Sequence, residues 1–179
     1  KETTSVALHK WIELGQAAQV LDKCLAELGG IERYVRPGQT VLIKPNIVSS
    51  GPASSGGTTH VELVEALIEQ LRRCSPARII VAEGTPGFGL AIDSGFPTGG
   101  WREMAARSGV ELYNLDAGPH AEITLEKPRY PGAVPFPQVI LDADVFISMP
   151  CLKTHIHADH TVTLKNSFGC TPQWKRSEV

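Results

Sequence analysis

The densest run of reactive side chains is Lys153-Thr154-His155-Ile156-His157-Ala158-Asp159-His160, followed closely by Lys165-Asn166. Three imidazoles and one carboxylate within six residues exceed what a solvated loop usually carries. Imidazole nitrogens and carboxylate oxygens ligate transition metals, and imidazole is also the side chain best suited to moving a proton near neutral pH. His155, His157, Asp159 and His160 are therefore candidate metal ligands, and His155 is a candidate general acid/base. Lys153 and Lys165 are candidate catalytic lysines: crowded cations lower one another's affinity for protons and free an amine for chemistry. The sequence names no cofactor; zinc, nickel and iron are the metals that such a ligand set admits.

Smaller clusters lie upstream. Lys44 directly follows the apolar run Val41-Leu42-Ile43, where an ammonium is costly unless an anion or carbonyl meets it. Pro45 holds Lys44 extended and stops the strand, and Asn46 adds both a donor and an acceptor. Thr58-Thr59-His60 opens a helical pattern, and free N–H groups at such a start suit an anion. Glu83-Gly84 ends another apolar run. With Lys44, Asn46, Thr59, His60, Glu83 and Asn166 as ligand-binding candidates, the favoured partner is a small anionic molecule, a carboxylate or phosphate. The plain alternatives are a surface lysine with a turn asparagine at 44–46 and an ordinary helix cap at 58–60. Neither a GxGxxG nor a Walker A pattern occurs, so a dinucleotide or P-loop nucleotide site is unsupported.

Strands and helices alternate in the pattern that must position these groups. Ser5–Leu8 reads as a short first strand and Ala17–Leu28 as a helix with Val20, Leu21, Cys24, Leu25 and Leu28 on one face. Thr40–Ile43 reads as a strand and Val61–Arg73 as a helix capped by Thr58 or Thr59. Ala77–Glu83 is a buried parallel strand by its continuous apolarity. Gly84–Gly100 is a long loop, Trp101–Ser108 a short helix, and Val110–Leu115 a strand. An irregular excursion or a hairpin spans Asp116–Pro137, and Val145–Ser148 is the last strand. This order predicts one α/β domain over residues 1–179: a three-layer, mostly parallel, Rossmann-like sheet with helices on both faces. Ligands of such sheets bind beyond the carboxyl ends of the strands, where Lys44 and Asn46, Glu83 and Gly84, and Lys153 and His155 all fall.

Composition narrows the field. With 179 residues and 42% hydrophobic content the chain can bury a proper core. Its 17 Lys+Arg against 19 Asp+Glu form no basic stripe, so nucleic acid is not an expected partner. No apolar run reaches the length of a membrane helix, and a membrane is not expected as partner either. The expected location is the cytoplasm; export after loss of a leader stays open, because the chain starts at Lys1. Cys24, Cys74, Cys151 and Cys170 show no CxxC pairing, and Cys24 and Cys74 read as reduced core residues. Oligomeric state is not legible.

Several of these pieces, in order, resemble the domain of unknown function 362 family. They are Val41-Leu42-Ile43-Lys44-Pro45-Asn46, Thr59-His60, Ile80-Val81-Ala82-Glu83-Gly84, Asp144-Val145-Phe146-Ile147-Ser148-Met149-Pro150, Lys153-Thr154-His155 and Thr163-Leu164-Lys165-Asn166-Ser167-Phe168-Gly169. The resemblance implies that the chain is the N-terminal part of a longer family domain. It also implies an iron–sulfur redox context, since some members carry a ferredoxin-like segment; a non-catalytic binding or redox-partner module is therefore an alternative to an enzyme. A remoter likeness, to the N-terminal domain of nickel-dependent lactate racemase, would make Lys165 a cofactor lysine and His155 a metal ligand or acid/base. The spelling His-x-His-x-Asp-His is similar to the zinc motif of the metallo-β-lactamase superfamily, which would make the site a metal-dependent hydrolase. That superfamily begins with β-strands, whereas strands and helices alternate here.

Overall fold

The computed structural model describes residues 4–11, 13–48, 52–85, 96, 100–124, 126, 132–155 and 158–176. In chain order the elements are α1 (Ala17–Glu27), β1 (Thr40–Pro45), α2 (Val61–Arg72), β2 (Arg78–Glu83), α3 (Trp101–Ser108) and β3 (Glu111–Asn114). Then come β4 (His120–Ile123), β5 (Val134–Pro137), α4 (Gln138–Leu141), β6 (Val145–Met149), β7 (Lys153–His155), β8 (Asp159–Thr161), α5 (Thr163–Ser167) and α6 (Gln173–Arg176). The main sheet has the order β3-β2-β1-β6 and is parallel throughout. β4 with β5 and β7 with β8 form separate antiparallel ribbons.

Continuous apolarity in the two middle strands is what burial on both faces demands. Val41, Leu42, Ile43, Ile80, Val81 and Ala82 are all fully buried. Their alternate side chains enter two cores. Val41, Ile43 and Val81 meet Val64, Leu67, Ile68 and Leu71 of α2 and Trp101 and Met104 of α3, with Leu21 and Leu25 of α1 at the margin. On the other face Leu42, Ile80 and Ala82 meet Leu115, with Val139 and Ile140 of α4 against them. Each such Leu or Ile stabilises the fold by about 1.5–3 kcal/mol relative to exposure. The first layer is thick and helical; the second is thinner, and its short helices leave the carboxyl end of the sheet within reach of α5.

Most elements match their sequence patterns to within a residue or two. The Asp116–Pro137 excursion is a hairpin-type ribbon, β4 with β5. Two expectations are corrected. Residues 5–8 form no strand: Val6 and Leu8 are 85% and 91% exposed. Alternation in four residues sets a pattern but supplies no partner strand. The cap of α2 is His60, without a side-chain capping bond; Thr59 and Thr58 stand one and two residues earlier, and the Thr59 hydroxyl is engaged elsewhere. Most of the expected loop 84–100 lies outside the described residues. All four cysteines are free, Cys74 and Cys170 buried, Cys24 and Cys151 half-buried.

Candidate functional site

Parallel register brings the carboxyl ends of β1, β2 and β6 side by side: Ile43 faces Val81 and Ile147, and Lys44 faces Ser148. Lys44 is 1% exposed, so its ammonium has no water to fall back on. It donates to Glu83 Oε2, to Asn166 Oδ1 at 3.1 Å and to the Pro45 carbonyl at 3.2 Å. An ammonium has three N–H groups, and these three acceptors take them all. Asn166 closes the arrangement by donating from Nδ2 to the Lys44 carbonyl at 3.2 Å and to Ser148 Oγ at 2.9 Å. Glu83 Oε1 accepts from the Ile47 N–H at 3.3 Å. Burial pushes the Glu83 carboxyl above the usual carboxylate range, against the pull of the adjacent Lys44 ammonium. The pair is a polar post that ties β1, β2 and α5 together.

Gly169 lets α5 come this close. A Cβ there would lie 2.9 Å from Lys44 Nζ. Gly84 is equally constrained, since its Cβ would stand 2.8 Å from the Gly169 carbonyl oxygen. Arg176 locks the same corner: it donates to the carbonyls of Thr171 at 2.6 Å, Thr85 at 2.6 Å and Gly169 at 2.9 Å, and lies 3.7 Å from Asp116 Oδ1.

Beside the post lies a more open group. Thr59 Oγ1 donates to the Met149 carbonyl at 2.7 Å and accepts from the Asn46 N–H at 2.8 Å. This stitches the start of α2 to the ends of β1 and β6. Cys151 Sγ is 3.9 Å from Thr59 Oγ1; burial raises the thiol above its ordinary value, against Thr59 and Lys153. Lys153 donates to the Gly57 carbonyl. Its affinity for a proton is lowered by burial, with Cys151 and Glu83 opposing. Lys165 is half-buried, its ammonium 4.6 Å from the centre of the Phe168 ring. Burial lowers it, and Arg176, Lys153 and Lys44 lower it further. Asn46 Oδ1 and Thr58 Oγ1 are buried and have no hydrogen-bond partner among the described residues.

Lys44, Asn46, Thr59, Glu83, Lys153, Lys165 and Asn166 thus gather at one end of the sheet, as the strand-end argument expects. His60 stands apart from the hydrogen-bonded group, its ring tilted against that of Trp11 at 4.9 Å between centroids and its Nδ1 3.9 Å from Glu62. His155 lies half-buried on β7, paired by register with Asp159 of β8. Asp159 and His160 are exposed, and His157 falls outside the described residues. Among the described residues no three His, Cys, Asp or Glu side chains stand close enough to share a metal ion. Sequence reasoning missed Ser148, Asp116, Cys151 and Arg176. Ser148 and Cys151 flank a strand end and were open to notice; Arg176 and Asp116 meet only through tertiary contact and leave no local signal.

No solved structure matches this chain. The thylakoid-associated protein sll1697 of Synechocystis sp. is 29% identical over 179 aligned residues, which cover 96% of this chain and 51% of that protein. The chain therefore spans about half the length of that curated relative. The family described as domain of unknown function 362 matches residues 41–179, a span that holds every residue of the buried post and of the group beside it. The chain belongs to the domain of unknown function 362 family.

Proposed function

We propose that the carboxyl end of this sheet binds a small anionic molecule, a carboxylate or a phosphate, and that the domain serves an enzyme acting on it. One observation carries the reading: cations outnumber the carboxylates that answer them. Glu83 is taken by Lys44 and Asp116 stands against Arg176. Lys153 and Lys165 sit nearby with no carboxylate in ion-pair contact among the described residues. Two half-buried cations held close together raise each other's energy, and an anion between them relieves that repulsion. The unpartnered Asn46 Oδ1 and Thr58 Oγ1 supply acceptors for donor groups of the same ligand.

Lys44 has a different part here from direct contact. Its three N–H groups are occupied, so it adds positive potential and holds Asn166 in place. Lys153 and Lys165 touch the ligand, and His155 on β7 serves as general acid/base. Calorimetric titration with inorganic phosphate and with acetate tests the binding. The native chain takes up at least one of the two; Lys153→Ala and Lys165→Ala each weaken uptake about tenfold or more, the scale of one charge-assisted contact. If neither anion binds the native chain, the reading is wrong.

A metal-assisted version of the same site draws on the cross-strand pairing of His155 with Asp159. Elemental analysis of protein purified without a histidine tag decides it: stoichiometric zinc, nickel or iron supports the version, and no uptake on titration removes it.

A further inference from the structure

We propose that two copies of this chain associate by strand exchange: residues 5–8 of each copy pair antiparallel with the edge of β6 in the other. The contact uses the outer edge of the sheet and does not depend on the anion site.

The two edges of the sheet are unlike. β3 and β6 each pair with one strand among the described residues. β3 opens on Glu111, whose carboxylate is held at that edge by Arg78. Charge of this kind discourages further pairing. β6 reads Val145-Phe146-Ile147-Ser148-Met149, without a charge, and Phe146 is exposed. Leu141 and Leu152, on either side of β6 in the chain, are exposed as well. A parallel strand of this composition suits burial between two neighbours, and here it has one.

The complement lies on the same chain. Residues 5–8 have a strand's alternation, with Val6 and Leu8 almost wholly in water. Their base is fixed: the Trp11 ring rests against that of His60, and His9 lies 2.8 Å from Glu27 of α1. Sheet edges recruit such segments through main-chain hydrogen bonds, and side chains set the register. Charge gives the direction. Lys10 is exposed, and so is Asp144 just ahead of β6, its carboxylate positioned by the Thr40 N–H at 2.7 Å. With Leu8 opposite Phe146, antiparallel pairing sets Lys10 opposite Asp144 and Val6 opposite Ser148. Opposite residues share a face, so Leu8 covers Phe146 while an ammonium meets a carboxylate.

One copy cannot make this contact with itself. Thr59 Oγ1 donates to the Met149 carbonyl, so His60, and Trp11 against it, stand at the carboxyl end of β6. Asp144 precedes the amino end, about 16 Å away at about 3.3 Å per residue. Lys10 adjoins Trp11 and is held away from its own Asp144; the Asp144 of a second copy is free of that restraint. A twofold axis repeats the contact, so each association buries two arms.

Sedimentation equilibrium of the whole chain tests this, with hydrogen exchange to locate the contact. Over a concentration series reaching the millimolar range, the native chain forms a dimer that dissociates on dilution. The amides of β6 exchange several-fold more slowly in the dimer than in the dilute monomer. Leu8→Lys weakens association about tenfold or more, the scale of one large apolar side chain returned to water, and removes the added protection of β6. Leu8 stands in water in the single copy, so this variant folds as the native chain does. Lys10→Glu also weakens association, and added salt narrows its difference from the native chain. A chain monomeric throughout the series overturns the proposal. So does a dimer that Leu8→Lys leaves as tight as before, or one whose β6 amides exchange as fast as in the monomer. Slow exchange of β6 at every dilution means that the edge is covered within one copy, and overturns it equally.

Discussion

At the amino ends of β2 and β3, Arg78 and Glu111 form an ion pair with 50% and 41% of their side chains in water. At the carboxyl ends of β1 and β2, Lys44 and Glu83 form a pair of the same kind with 1% and 6% exposed. The two pairs sit on one sheet, and β2 takes part in both. The outer pair lies by an open groove, lined also by Ser75, Pro76 and Ser108, in which water screens every charge. The inner pair is closed over by Gly169 and by α5. An exposed pair adds little to stability because water competes for both partners. A buried pair is costly to form and far more costly to break, because its members have no alternative to each other. The use proposed for this one is to fix Asn166 and to raise the potential around Lys153 and Lys165.

The largest effect is expected at Glu83. Glu83→Ala strands the Lys44 ammonium in the core and should cost about 3–5 kcal/mol, read as a fall in the urea midpoint at unchanged slope. The double variant Lys44→Met, Glu83→Leu should regain part of that, since no charge remains buried. Recovery stays incomplete, because Ile47 N–H loses its acceptor and Asn166 its donor. A single variant as stable as the native chain would show that Lys44 reaches water.

Next come the two glycines that allow the close approach. Gly84→Ala brings a Cβ to 2.8 Å from the Gly169 carbonyl oxygen, which is backbone and cannot rotate away. Gly169→Ala brings one to 2.9 Å from Lys44 Nζ, the end of a side chain pinned by three acceptors. Overpacking of this kind costs about 1–3 kcal/mol. Both variants should lose stability and anion uptake together, because both displace α5. Gly56→Ala is no control, since its φ of 76° is itself strained for alanine. Gly15, with open space around it and no positive φ, is the proper one, and Gly15→Ala should change neither property.

How much of this was legible in the sequence depends on which contacts are local. The strand ending in Val41-Leu42-Ile43-Lys44 was, because unbroken apolarity marks a buried strand and a lysine at its end needs a partner there. So was the gathering of polar groups at one rim, since a parallel sheet puts all its carboxyl ends together. The partner of Lys44 was not. The sequence reads Glu83 as a ligand group; the structure sets its carboxylate against a lysine 39 residues away. No spacing rule encodes that meeting; it follows from register between β1 and β2. The segment at 5–8 misled for the opposite reason, since it has a strand's pattern and no neighbour to pair with. His60 fell between the two: its place at the start of α2 was correct, but Trp11, which covers its ring, is 49 residues upstream.

The smallest effect is expected at the amino end, and it makes the contrast quantitative. Arg78→Ala removes one partner of an exposed pair and leaves Glu111 free to be hydrated, so the loss should fall within about 0–1 kcal/mol. Added salt should shrink it, since the charges lie in reach of mobile ions. The Glu83→Ala loss should barely respond to salt, because ions cannot enter the space between Lys44 and Asn166. Urea titrations of both variants at low and high sodium chloride therefore separate the two ends of the sheet by a property other than size. If the Glu83 variant proves as salt-sensitive as the Arg78 variant, the inner pair is wet, its potential is screened, and Lys44 has no long-range hold on Lys165.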